Sequence, residues 1–279
     1  MTTVAEALQL AIKQLTVAGD EHDAQIDANW LLAHVLKKNL AWLRAFPDHV
    51  IAAADAERFA GWVVRRCLGE PVAYITGRQG FWTFELDVTA DTLVPRPDTE
   101  LLVETALDLL DESAHRVVDL GTGTGAIALA LKSEQHAWQV LATDIDPASL
   151  ALAERNAQRL GLAIDLQESS WLRELTGKTF DLIVSNPPYI RADDPHLTGV
   201  GVRFEPPRAL VSGVDGLDAI REIVAAAPTH LNDGGWLALE HGYDQGEAVR
   251  ALMLEVGLRN VETRQDLGGN ERVTLGTKG

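Results

Sequence analysis

The chain contains a single cysteine, Cys67, in 279 residues. One thiol cannot close an internal disulfide or build a multi-thiolate metal site, so the fold needs neither an oxidising compartment nor structural zinc. No stretch reaches about 18 consecutive apolar residues. The opening MTTVAEALQLAIKQL has no basic start followed by an unbroken apolar run, so neither a membrane span nor a secretory signal is expected. These absences predict a soluble, cytoplasmic protein. Basic residues are also scarce, with 24 Lys and Arg against 41 Asp and Glu, a net charge of -17. The imbalance is uneven: residues 1 to 80 carry 8 basic against 9 acidic side chains, and the remainder 16 against 32. A chain that grips a nucleic-acid backbone carries clustered Lys and Arg, whereas this field repels phosphate. No direct nucleic-acid partner is therefore expected. What remains, 46% hydrophobic residues with 23 Gly and 11 Pro, is ordinary globular composition.

At roughly 150 residues per domain, the length allows one large domain or a large domain with a small partner. The first 70 or so residues read as helices. Thr3 and Glu6 have capping-box spacing, after which Val4, Leu8, Ile12 and Leu15 recur on one helical face. Segments 24–37 and 53–68 repeat the period with Ile26, Trp30, Leu31 and Val35, then Phe59, Trp62 and Val63. These stripes read as the core of a small bundle. From Gly77 the pattern changes to the alternating Phe81–Val88 run, followed by Thr92-Leu93-Val94 and the stiff Pro95-Arg96-Pro97, which predicts a short hairpin linker. A helix over 99–111 then leads into apolar runs at 116–120, 139–143, 163–167, 180–185 and 236–240, with late strands near Val261 and Val273. Strands separated by helices imply a mostly parallel, doubly wound α/β sheet, in which ligands bind at the carboxyl ends of the strands. The expected division is 1–75 helical, 76–97 linker and 98–279 catalytic.

Two motifs carry chemistry. Val117-Val118-Asp119-Leu120 runs into Gly121-Thr122-Gly123-Thr124-Gly125 and opens a helix at Ala126, so that glycines let the backbone turn tightly and approach a ligand. Asp144 ends the next strand, where a carboxylate accepts both hydroxyls of an adenosine ribose. No Lys-Ser/Thr follows the glycines, which disfavours a phosphate loop. The second motif, Ser185-Asn186-Pro187-Pro188-Tyr189, follows the apolar Leu182-Ile183-Val184. The Asn186 side-chain oxygen and the Pro187 carbonyl are neighbouring acceptors, suited to an NH2 group, while prolines remove donors and stiffen the turn. An amide nitrogen is a poor nucleophile because its lone pair is delocalised. Accepting both of its hydrogens opposes that delocalisation and fixes an in-line approach. Tyr189 offers an aromatic face to the planar group. The electrophile then belongs on the cofactor, and a sulfonium methyl joined to an adenosine ribose fits both motifs: S-adenosylmethionine.

Together these residues resemble the class I S-adenosylmethionine-dependent methyltransferases, and specifically the HemK/PrmC family of peptide chain release factor glutamine methyltransferases. The likeness extends to Glu70–Gly77, to Val94-Pro95-Arg96-Pro97-Asp98-Thr99-Glu100, to Arg203-Phe204-Glu205-Pro206 and to Asn270-Glu271-Arg272-Val273. It implies a Rossmann-like seven-stranded domain with a reversed last strand, joined by a β-hairpin to a small N-terminal helical bundle that helps to hold the release factor. It further implies methylation of the glutamine amide in the Gly-Gly-Gln loop of class I release factors, supporting translation termination, with S-adenosylhomocysteine as the second product. By the resemblance, Asp119, Asn186 and the residues Gly121, Thr122, Gly123, Thr124 and Gly125 serve the cofactor, the glycine turn facing its methionine part. Asp144 holds the ribose and Trp171 flanks the adenine. Asn186, Pro187 and Tyr189 bind the glutamine amide, with Pro188, Arg96, Pro97 and Glu100 bordering that pocket. No metal is expected, and a monomer is the default.

Ser170 stands where the family often has an aspartate, although a serine oxygen still accepts a hydrogen bond from the adenine amine. The direct attack needs no strong base, so His241 is read as a packed histidine. Two other readings stand beside this one. Methylation of the exocyclic amine of adenine in DNA uses the same two acceptors, with Tyr189 stacked on a flipped base, and the charge balance opposes it. A regulatory cofactor-binding module would take up the cofactor without transferring its methyl group.

Overall fold

The structure, a computed structural model, describes residues 2–19, 21–199 and 201–279. The chain divides into two compact units, Met1–Arg78 with Thr198–Phe204, and Gln79–Leu197 with Glu205–Gly279. Among the described residues no helix is long and apolar enough to cross a membrane.

The first unit is helical: α1 (Val4–Ala18), α2 (Glu21–Leu36), α3 (Leu40–Ala45), α4 (Ala53–Cys67) and α5 (Val72–Thr76). Thr3 and Glu6 close the expected capping box, each side chain accepting the other's backbone N–H. The buried face of α1 is Val4, Ala7, Ala11 and Leu15, with Leu8 and Ile12 only half-buried. In α2 the core takes Ala24, Ala28, Leu31, Leu32 and Val35, while Ile26 and Trp30 stay exposed. The expected stripes hold at Val4, Leu15, Leu31, Val35, Phe59 and Val63, with Leu8, Ile12 and Trp62 packed at the core's margin, and are corrected at Ile26 and Trp30. Alanines let the helices approach closely, and their small side chains make a weak periodic signal beside a tryptophan. Two short helices escape the periodicity altogether. α3 is started by Asn39, whose side chain accepts the Trp42 N–H at 2.8 Å, and α5 is ended by the left-handed Gly77.

The second unit opens on a hairpin, β1 (Arg78–Phe81) and β2 (Phe84–Asp87), whose turn is Trp82-Thr83. The alternating run of residues 81–88 is therefore not one strand: it contains the reversal. Trp82 takes a left-handed φ of 55°, rare for a bulky residue. Long-range bonds hold it there, from its backbone N–H to Glu100 Oε1 (2.8 Å) and from its indole N–H to Glu134 Oε1 (2.7 Å). Asn156 clamps the other strand, accepting the Asp87 N–H at 2.7 Å and donating to the carbonyls of Asp87 and Thr124.

The sheet follows: α6 (Glu100–Leu109), β3 (Arg116–Leu120), α7 (Ala126–Glu134), β4 (Gln139–Asp144), α8 (Pro147–Leu160), β5 (Asp165–Glu168), β6 (Phe180–Ser185), α9 (Asp218–His230), β7 (Leu231–Glu240), α10 (Gly246–Glu255), β8 (Arg259–Gln265) and β9 (Glu271–Thr277). Its seven strands lie in the order β5-β4-β3-β6-β7-β9-β8. All neighbours are parallel except those of β9, which runs antiparallel to both β7 and β8. This is the seven-stranded class I methyltransferase arrangement with its last strand reversed. Successive residues of β3 face opposite sides: Val117 joins the core under α6 and α7, and Val118 the core under α9. Strand order turns back between β3 and β6, so their carboxyl ends open a crevice at a topological switch point. Register aligns the ends, with Leu120 opposite both Thr143 and Ser185.

Candidate active site

Three strand ends meet at that crevice. After β3 the chain turns through Gly121–Gly125 into α7, and the turn is bolted to β4: the Thr122 N–H donates to the Thr143 carbonyl (2.8 Å) and the Gly123 N–H to Asp144 Oδ2 (2.9 Å). Gly121 has φ 71°, and a Cβ there would lie 3.1 Å from the Trp171 ring. Glycine is required on both counts, and the ring is packed down onto the turn. Gly125, at φ 85°, is equally confined, with Leu129 and Ala153 3.1 and 3.2 Å from where its Cβ would stand.

Asp144 receives a second backbone N–H, from Asp146 at 3.0 Å. Burial nonetheless raises its carboxyl above the usual range, against the pull of these two donors. It lines the cleft, and each oxygen has a lone pair to spare for a hydroxyl. Asp119 does not line the cleft. Its side chain is fully buried, Oδ2 accepts the Thr122 hydroxyl at 2.6 Å, and Oδ1 has no hydrogen-bond partner among the described residues. Burial pushes this carboxyl up to about 7. Its direct reach is to the glycine turn.

From β6, Ser185 donates its hydroxyl to the Leu120 carbonyl at 2.6 Å, locking the ends of β3 and β6 together. Asn186 follows. Its Nδ2 donates to Thr99 Oγ1 at 3.0 Å, and its Oδ1 has no partner among the described residues. Asn186 and Pro188 line the cleft with Gly121, Thr122, Gly123, Thr124, Asp144, Ser170, Trp171 and Arg96. The atom-free space over this lining is about 1020 Å³, part of it open to solvent. Gly125, Pro187 and Tyr189 are not part of the lining. Pro187 is buried, and the Tyr189 hydroxyl donates to Glu240 Oε1 at 3.3 Å. Burial and that carboxylate together raise the phenol well above its ordinary value. Pro97 is exposed outside the lining, and Glu100 turns its carboxylate to the Trp82 N–H.

Several residues in or beside the cleft belong to neither the glycine turn nor the Asn186–Tyr189 motif. Thr99 orients Asn186. Glu205, 4% exposed, accepts the Val94 N–H at 3.1 Å and pairs with Arg96, strapping the Pro95-Arg96 segment down beside the cleft. Arg208 pairs with Asp146 and donates to the Asp91 carbonyl at 2.7 Å. Thr99 and Glu205 lie inside strings that mark the resemblance, but nothing local in those strings discloses what they touch. His241 is fully buried, its Nε2 2.8 Å from the Thr274 hydroxyl and its Nδ1 2.8 Å from the Gly242 carbonyl. Burial holds it below its usual range, and it does not reach the cleft.

The donor and acceptor set suits S-adenosylmethionine. A strand-end carboxylate faces the cleft for a vicinal diol, a glycine turn admits a close ligand backbone, and the Trp171 ring borders the same space for a planar heterocycle. The Ser170 N–H is engaged by Glu174 at 2.7 Å, and Ser170 remains at the cleft wall.

Comparison with known proteins agrees with this geometry. A family described as PrmC N-terminal domain matches residues 6–77, and one described as methyltransferase small domain matches residues 97–204. The chain is 56% identical over 258 residues to a release factor glutamine methyltransferase of Pseudomonas aeruginosa, covering 92% of this chain and 94% of that one. It is 45% identical over 270 residues to the protein of the same name from Escherichia coli, covering 96% of each. Among solved structures, a methyltransferase from Pyrococcus furiosus superposes with a TM-score of 0.54 at 19% identity, over 79% of this chain and 99% of that one. A 16S rRNA N2 G1207 methyltransferase from T. thermophilus, in complex with AdoMet and guanosine, gives 0.53 at 21% identity, over 72% of this chain and 50% of that one. These two likenesses concern the fold.

Proposed function

This chain belongs to the release factor glutamine methyltransferase family, and from that premise we propose that it methylates the side-chain amide nitrogen of the glutamine in the Gly-Gly-Gln loop of class I peptide chain release factors. The enzyme is S-adenosylmethionine-dependent. When bound, the cofactor supplies a sulfonium methyl group open to displacement, and transfer leaves S-adenosylhomocysteine, a methylated amide and one released proton.

The chain's own residues account for the rest. Asp144 takes the ribose hydroxyls, the Gly121–Gly125 turn lies along the methionine part, and Trp171 covers the adenine, with Asp119 bracing the turn through Thr122. Asn186 Oδ1 and the Pro187 carbonyl accept the two hydrogens of the glutamine amide. Both acceptors pull the amide hydrogens to one side, which opposes conjugation and leaves the nitrogen lone pair facing the methyl group. Pro188 and Arg96 border the pocket, and Tyr189 backs it. The proton leaves to water or to the surrounding acceptors. Residues 1–75 serve recognition of the release factor, 76–97 connect, and 98–279 carry the chemistry. In this reading the protein works as a monomer in the cytoplasm.

The observation that most supports this reading is Asn186 at the end of β6, its Nδ2 held by Thr99 and its oxygen unengaged, in the same cleft as Asp144. Mass spectrometry of a class I release factor after incubation with enzyme and cofactor tests it. One methyl group on the Gly-Gly-Gln glutamine is expected. A methyl elsewhere, or a labelled DNA product with unmodified release factor, refutes it.

A further inference from the structure

The Asn186–Tyr189 segment carries the two acceptors on which the transfer depends, and its middle residues are both prolines. Pro187 and Pro188 have a fixed φ and no backbone N–H, so the segment is stiff and has no donor in its middle by which to be tied down. Its aim is set at its ends. At the front, Ser185 donates to the Leu120 carbonyl at 2.6 Å, and Asn186 Nδ2 donates to Thr99 Oγ1 at 3.0 Å. The rear end is the peptide that joins Tyr189 to Ile190. Its N–H donates to the Leu210 carbonyl at 2.8 Å, and its carbonyl accepts from Gln245 Nε2 at 3.0 Å.

Gln245, 8% exposed, stands immediately before α10 and belongs to none of the motifs above. Both ends of its carboxamide are engaged. Nε2 donates to the Tyr189 carbonyl and, at 3.3 Å, to the Asp215 carbonyl, while Oε1 accepts the Gly242 N–H at 2.8 Å. The network fixes which end is which, because a reversed amide would set its oxygen against two carbonyl oxygens. Tyr189 and Asp215 are the two stems of the long excursion between β6 and α9, so one side chain grips both stems and ties them to the turn after β7. Gly216 shows how closely these pieces meet: at φ 79°, a Cβ there would stand 2.2 Å from the Tyr189 oxygen and 2.7 Å from Gln245 Nε2.

We propose that Gln245 is a positioning residue for methyl transfer, holding the Tyr189–Ile190 peptide so that the Pro187 carbonyl and the Tyr189 ring keep the aim the substrate amide requires. The inference rests on the function proposed above. Gln245 does not line the cleft, and all three of its partners are main-chain groups, so it acts through Tyr189. The bond from the Tyr189 hydroxyl to Glu240 restrains the tip of the ring, whereas the orientation of the peptide depends on Gln245 and Leu210. Without Gln245 the peptide is free to turn, and the stiff segment carries that turn back to the Pro187 carbonyl. A misplacement of about 1 Å at such a group costs up to about 100-fold in rate. Asp144 and the glycine turn follow β4 and β3, and no bond of Gln245 reaches them. The loss therefore falls on the chemical step and spares the cofactor.

The test uses the full chain, native and as Gln245→Glu, Gln245→Met and Asn186→Ala. Ionised glutamate keeps the shape and the acceptor for Gly242 but has no donor, and methionine keeps the bulk with neither. Single-turnover methyl transfer to a class I release factor should slow by about 10- to 100-fold in both Gln245 variants, with release factor KM within about threefold. Cofactor affinity, by calorimetry, should stay within about twofold. Hydrogen exchange at the Ile190 amide should speed by about tenfold or more in both, while amides of β3 and β4 exchange as in the native protein. Transfer within about threefold of native in either folded variant overturns the proposal. So does a loss of cofactor affinity in step with transfer, or faster exchange throughout the sheet, since either makes Gln245 a general support of the fold. The native protein decides the matter if neither variant folds: its Ile190 amide should exchange about 100-fold or more slowly than a free peptide, and exchange at the free-peptide rate overturns the clamp. Native enzyme that leaves the release factor unmethylated, or full turnover in Asn186→Ala, overturns the function on which the inference rests. Slow transfer in Asn186→Ala with full transfer in the Gln245 variants removes Gln245 alone.

Discussion

Truncating Asn186 to alanine separates binding from chemistry. Asn186 lines the cleft, its Nδ2 is tied to Thr99, and its oxygen has no partner among the described residues. In Asn186→Ala the glutamine amide keeps the Pro187 carbonyl but loses its side-chain acceptor. Loss of one such positioned group removes about 2 to 4 kcal/mol of transition-state stabilisation, or roughly 30- to 1000-fold in kcat. The structural cost is smaller. A neutral hydrogen bond to Thr99 disappears, worth about 1 kcal/mol, while Pro187 and Pro188 hold the backbone where it was. The melting temperature should fall by about 2 to 4 °C. Cofactor affinity should stay within about threefold, since Asp144 and the glycine turn come from β4 and β3 and leave enough contacts for binding. Single-turnover transfer of labelled methyl gives the chemical step, and calorimetry gives the cofactor affinity. Turnover within about threefold of native would refute the acceptor role. Loss of cofactor binding in step with turnover would assign Asn186 to the cofactor instead.

Three further outcomes follow from the same contacts. Gly121→Ala places a Cβ 3.1 Å from the Trp171 ring in a left-handed backbone, so it should destabilise by about 1 to 3 kcal/mol and weaken cofactor affinity, as denaturant titration and calorimetry would show; an unchanged affinity would separate the turn from the cofactor. Asp119 has its carboxyl raised to about 7 in the fold from 3.8, so the stability linked to this group is complete below about pH 4 and lost as pH rises through 7. Asp119→Asn should flatten that fall, an effect on the order of 4 kcal/mol, measured as the midpoint of urea unfolding between pH 4 and 8; parallel curves for the two proteins would refute it. Glu205→Ala strands the Val94 N–H and the Arg96 guanidinium, at about 2 to 3 kcal/mol, and should speed hydrogen exchange at the Val94 amide; unchanged exchange would mean the strap is held elsewhere.

Where sequence and structure diverge, the cause lies in contacts made far along the chain or in side chains too small to mark a face. The ends of β3 and β6 are legible because each is an apolar run stopped by residues that cannot continue a strand: glycines after Leu120, prolines after Asn186. The reversal at Trp82 is not legible. No glycine or asparagine announces it, and its unusual backbone is held by Glu100 and Glu134, far along the chain. The exposed Ile26 and Trp30 mislead for the opposite reason, since their size dominates a helix whose core contact runs through Ala24 and Ala28. Glu100 sits within the string that marks the resemblance, yet its carboxylate serves the hairpin.

The local pattern alone determined the chemistry available: a glycine turn with a strand-end acid for the cofactor, and a rigid pair of acceptors for an amide, because those properties belong to single residues and to their immediate neighbours. Tertiary structure decided how that chemistry is aimed. The partner of Glu205 is 111 residues away at Val94, and Asn186 meets Thr99 across 87. Such pairings exist only once the sheet has brought its strand ends into register, and burial, which shifts the carboxyls of Asp119 and Glu240, is a property of the surrounding fold.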